Sequence, residues 1–83
     1  MDSFVVETNT KARGVRFTED ELIVSLVDGR TVSVPLVWFP RLLHATPQQR
    51  EQWEMLGDGD GIHWEQIDED LSVAGLLRGT RAP

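Results

Sequence analysis

The sequence predicts an α+β domain in which a small antiparallel β-meander packs against two or three short α-helices. Three observations carry that expectation. Alternating runs rich in β-branched residues flank the pair Asp28-Gly29. Thr46-Pro47-Gln48-Gln49 spells out a helix start, with Thr at the N-cap, Pro in the first turn and Gln placed to reach back. Ser72 and Gly79 bracket a terminal apolar segment as helix cap and helix stop.

Taken in order, residues 1–13 mix polar side chains around Phe4-Val5-Val6 and read as a lead-in, either frayed or an edge strand. Three strands follow at about 14–18, 21–27 and 31–34. Thr18 to Glu21 form the first turn, and Asp28-Gly29 the second, expected as type I′ because that turn needs positive φ at both central residues. Pro35 has no N–H for a sheet ladder and ends the meander. Leu36, Trp38, Phe39, Leu42 and Leu43 recur at helical spacing, which predicts a short helix over about 39–45 with Pro40 in its first turn. The capping box starts a second helix over about 47–56, with Trp53 and Leu56 on its apolar face and Gly57 ending it. Asp58-Gly59-Asp60-Gly61 is a tight loop, Ile62-His63-Trp64 a short fourth strand, and the last helix runs from Ser72 to Gly79. Residues 14–79 are thus expected as one compact domain and 80–83 as a frayed tail.

Eighty-three residues support one domain. A chain of this size buries only about 60% of its unfolded surface. With no cysteine, Cys-ligated zinc is excluded. No apolar run approaches the roughly 18 residues of a membrane span, and the N-terminus lacks a basic head and an apolar stretch. A cytoplasmic protein without membrane attachment is expected.

The net charge of −6 is unevenly distributed. Residues 1–45 carry six acids and five bases, whereas residues 46–83 carry eight acids and three bases. From Glu51 to Asp70 the eight acids have no base among them. Such a surface repels phosphate backbones, so direct nucleic-acid binding is not expected. It favours encounter with a basic protein, although the same charge also serves plain solubility.

The combined motifs resemble one bacterial family, domain of unknown function 2442. The residues that carry the resemblance are Trp38 to Leu42, Thr46 to Trp53, Gly57 to Trp64 and Asp68 to Leu77, within about 65 of the 83 residues. Asp60 stands where the family commonly has an aromatic residue, and Glu65 where it commonly has proline. The resemblance implies a small prokaryotic protein without a settled activity. Some members are joined to helix-turn-helix domains, and some look like the antitoxin half of a toxin–antitoxin pair.

Each candidate for chemistry has a structural counterpart. Asp58 and Asp60 begin like a calcium loop, but Ile62 and His63 stand where a ligand and the turn glycine belong, so no metal or cofactor is expected. His63 has acids on both sides and is the one candidate base, with Glu65 or Asp68 as its partner. Asp68, Glu69 and Asp70 precede the last helix and suit its dipole. His44 suits a helix C-terminus. Trp53 and Trp64 are assigned to the core, and Trp38, at a strand-to-helix corner, to a partly exposed position.

The expected function is therefore a non-enzymatic, acidic protein-binding module, antitoxin-like, that sequesters a basic partner. Glu51, Glu54, Asp58, Asp60, Glu65, Asp68, Glu69 and Asp70 would steer the encounter, and Trp38 and Phe39 would anchor it. The alternative is a small ligand-binding domain or enzyme centred on His63. A homodimer through edge strands is a further expectation, because a short meander leaves edges unpaired.

Overall fold

Alternating side chains along residues 12–35 form β1 (Ala12–Phe17), β2 (Glu21–Leu26) and β3 (Thr31–Pro35) in the computed structural model, which describes residues 10–82. A 3₁₀ turn over Leu36–Trp38 leads into α1 (Pro40–Leu43) and α2 (Pro47–Arg50). The chain continues through β4 (Trp53–Leu56), β5 (Gly61–Trp64), β6 (Glu69–Ser72) and α3 (Val73–Arg78). The strands make two antiparallel sheets, sheet A in the order β1-β2-β3 and sheet B in the order β4-β5-β6. The α+β class holds, with a second sheet where one short strand was expected.

One core joins the two sheets. Leu22, Val24 and Val34 contribute from sheet A, Ile62 and Leu71 from sheet B, and Leu42 and Leu76 from the helices. Trp64 stands at the junction, only 1% exposed, with its ring edge-on to Phe17 at 6.2 Å between centroids. Its indole N–H donates to the Arg50 carbonyl at 3.0 Å. A large ring and a satisfied donor together explain why tryptophan fits there.

The second turn differs from the expected type I′. Gly29 N–H bonds to Leu26 O and Leu26 N–H to Arg30 O, and only Gly29, at φ 97°, has positive φ. This is a three-residue loop with a glycine bulge. Asp28 stays at negative φ and uses its carboxylate to accept from the Arg30 backbone N–H at 2.9 Å and from Nε at 2.8 Å.

The helix expected over 47–56 ends at Arg50. The capping box is present, with Thr46 and Gln49 each accepting from the other's backbone N–H. Beyond Arg50 the side chains alternate: Trp53 and Met55 pair with Trp64 and Ile62, while Glu54 and Leu56 are exposed. Pairing with β5 buries Trp53 and Met55 on one face, which outweighs the weak helical spacing of Trp53 and Leu56. Gly57, at φ 61°, belongs to the β4–β5 hairpin turn rather than to a helix end.

A second correction concerns Asp68-Glu69-Asp70. Asp68 lies at φ 53° in the turn before β6, and Glu69 and Asp70 are in that strand, where a helix N-terminus was expected to hold them. The helix begins at Val73, with Ser72 Oγ accepting from Gly75 N–H at 2.9 Å and Gly79 closing it at φ 81°.

Residues 1–9 of the lead-in lie outside the described residues. At the other terminus, Ala82 N–H bonds to Trp38 O at 3.2 Å, and the Arg81 guanidinium lies 4.4 Å above the Trp38 ring. No helix among the described residues is long and apolar enough to cross a membrane.

Candidate functional site

Side chains alternate across sheet B because successive residues of a strand point to opposite faces. The inner face receives Trp53, Met55, Ile62, Trp64 and Leu71. The outer face therefore receives Glu54 from β4, His63 from β5 and Asp70 from β6. These three stand in one cross-strand row, with Glu54 opposite His63 and His63 opposite Asp70. Leu56, Gly61 and Ser72 form the neighbouring row of the same face.

His63 Nδ1 lies in direct contact with Asp70 Oδ1. That contact is the main reason the imidazole pKa is raised, with the charges of Asp70, Glu54 and Glu65 adding to it against some desolvation. His63 thus stands at the centre of an otherwise acidic face, with Asp70 favouring the protonated form of its ring. Its partner is Asp70; Glu65 contributes charge alone, and Asp68 belongs elsewhere.

Asp68 Oδ2 lies 3.8 Å from Arg41 Nη1, and the same guanidinium donates to the Asp68 carbonyl. Glu69 faces the other way from Asp70 and is half-buried. Burial pushes its carboxyl pKa up, against the favourable charge of Arg41. Asp60 pairs with Lys11 across the gap between the sheets. No cation among the described residues forms an ion pair with Glu51, Glu54, Asp58 or Glu65.

The expected aromatic anchor is corrected. Phe39 is 3% exposed and sits in the core, so it presents no surface to a partner. Trp38 is half-buried beneath Arg81. Leu56, 40% exposed on the outer face of sheet B, is the apolar residue that stands among the acids. It escaped sequence reasoning because a helix over 47–56 assigned it to a buried stripe.

Arg50 was also missed as a positioning residue. Its Nε donates to Leu42 O at 2.9 Å and its Nη2 to Leu43 O at 2.8 Å, which ties α2 to the end of α1. A basic residue four positions after a capping threonine was the available signal.

The outer face offers a shallow depression of about 370 Å³ bounded by Leu56, Asp60, Gly61, Asp70, Leu71 and Ser72. Ser72 is engaged as the cap of α3. No group of three or more His, Asp or Glu among the described residues is arranged to hold a metal ion.

The sequence profile described as "Protein of unknown function (DUF2442)" matches residues 12–82. The chain belongs to the DUF2442 family. Two solved structures share the DUF2442 fold seen here. A protein of unknown function from Rhodospirillum rubrum is 34% identical, with a TM-score of 0.77 over 90% of this chain and 93% of that one. An uncharacterized protein from Chromobacterium violaceum is 28% identical, with a TM-score of 0.74 over 88% of this chain and 69% of that one. No relative matches among curated proteins. Both carry the architecture described above, and neither has an assigned activity in its description.

Proposed function

We propose that this DUF2442 chain is a non-enzymatic, cytoplasmic protein-binding module that receives a basic partner on the outer face of sheet B, as an antitoxin sequesters its toxin. The supporting observation is the grouping of Glu54, Asp70 and Leu56 on one exposed face, with Glu65 near enough to act on His63. Glu54 and Glu65 have no ion-pair partner among the described residues, so a cationic surface meets available charge. Leu56 supplies an apolar contact inside the acidic rim, the arrangement in which charge steers encounter and buried apolar area holds the complex.

The test is a pull-down from lysate of the source organism with the tagged full chain at low and moderate salt, followed by titration of any stoichiometric band. A small basic protein released by salt, and bound far more weakly by a Glu54→Lys, Glu65→Lys variant, is the expected result. Affinity and salt dependence unchanged in that variant would overturn the assignment.

The second reading is a ligand-binding or catalytic role for His63, favoured by its contact with Asp70, which orients the ring as a carboxylate orients a general base. It predicts a small molecule that shifts the His63 ring resonances at a stoichiometry of one.

A further inference from the structure

We infer that the groove between the free edge of β1 and the segment formed by α2 and Trp53 is a docking groove for an extended peptide strand that alternates apolar and acidic side chains. β1 and β4 are edge strands of different sheets. They are pinned together at one end, where Ala12 N–H donates to Gly59 O at 2.8 Å and Lys11 pairs with Asp60. Toward Phe17 a groove of about 530 Å³ lies between β1 on one side and α2 with Trp53, the first residue of β4, on the other. Val15, Phe17, Pro47 and Trp53 line it with apolar surface, Arg16 and Arg50 with positive charge, and Glu51 with the one negative charge.

The backbone of β1 is ready for a further strand. Thr18 N–H bonds to Glu21 O, so alternation turns the backbone groups of Arg16 toward β2 and those of Val15 and Phe17 outward. Among the described residues, no backbone group outside sheet A bonds to Val15 or Phe17. From Val15 to Thr18 the available edge is about 10 Å long, enough for four residues of a partner strand. Such strand addition takes affinity from the main chain and specificity from alternate side chains.

Charge and polarity select the occupant. Val15 and Phe17 lie toward the core side, so the strand residues opposite them must be apolar. Arg16, exposed on the other face, has no ion-pair partner among the described residues, and a carboxylate directly opposite it completes a favourable cross-strand pair. A second copy of β1 fits poorly, because an antiparallel self-pair centred on Arg16 sets the two Arg16 side chains directly opposite one another. The groove is separate from the acidic face of sheet B and does not depend on the function proposed for it.

The experiment is an amide-resolved NMR titration of the full chain with acetyl-Val-Glu-Val-Glu-Val-amide. The expected result is saturable shifts at the Val15 and Phe17 amides and the Trp53 indole. Binding should weaken about fivefold in Arg16→Glu, strengthen in Glu51→Gln and stay unchanged in Arg78→Glu. A peptide N-methylated on its central residues, or one with lysine in place of glutamate, should bind much more weakly. The inference is overturned if those resonances stay still, or if the lysine or N-methylated peptide binds equally well. It is also overturned if binding appears only after deletion of residues 1–9, which would assign the groove to the chain's own segment. Shifts at the same residues that grow with protein concentration alone would assign it to a second copy.

Discussion

The Trp64 indole N–H donates to the backbone carbonyl of Arg50 at 3.0 Å, linking the centre of sheet B to the last residue of α2. The same Arg50 holds the end of α1 with its guanidinium, so one residue joins three elements. Trp64→Phe keeps most of the buried ring but leaves the carbonyl without its donor, and should cost about 1–3 kcal/mol. Urea denaturation followed by circular dichroism measures this directly.

Arg50→Lys tests the fork. A lysine ammonium keeps the charge but cannot place two coplanar N–H groups on Leu42 O and Leu43 O. The expected loss is again about 1–3 kcal/mol, larger than for the exposed Arg78→Lys control. An equal effect in the two variants would show that charge alone, and not fork geometry, supports the α1–α2 corner.

Gly59 governs the joint between the sheets. An added Cβ would lie 2.6 Å from the Ala12 carbonyl oxygen, at a φ of 108° that disfavours any side chain. Gly59→Ala should therefore destabilise the fold by about 1–3 kcal/mol or more. Hydrogen exchange should show early opening at the Ala12 amide. By contrast, a Cβ at Gly14 meets nothing within 4 Å, and Gly14→Ala should be tolerated.

The pH dependence has a definite sign at three groups. His63 has its pKa raised, chiefly by Asp70, so its contribution is fully present below the ordinary imidazole value of about 6.5. It is lost as pH rises through the higher folded value. His63→Gln should flatten that part of the stability profile. Glu69 is raised by burial, so its ionisation opposes folding as pH rises above the ordinary carboxyl range, and Glu69→Gln should stabilise the protein at pH 7. Asp28 is held low, first by the Arg30 backbone N–H, so its contribution is present at neutral pH and disappears as pH falls through its folded value.

Ser72→Ala removes the acceptor for Gly75 N–H at the start of α3 and should cost about 1 kcal/mol. Ser72→Asp, which keeps an acceptor, should recover most of that loss, as read from thermal midpoints.

Local chemistry by itself determined the meander, the Thr46 capping box, the strand around His63 and the capped last helix, because each is written within a few adjacent residues. It also determined the acidic run, which is plain composition. Tertiary structure decided the rest. Trp53 to Leu56 became a strand only because β5 was there to pair with it and bury Trp53 and Met55. Asp70 and Glu54 became neighbours of His63 through strand register, a relation that spacing along the chain does not encode. Phe39 left the surface because the core formed around it, and Leu56 took a place among the acids once β4 set its face outward. Contacts made across a sheet depend on which segments meet, and that choice belongs to the folded whole.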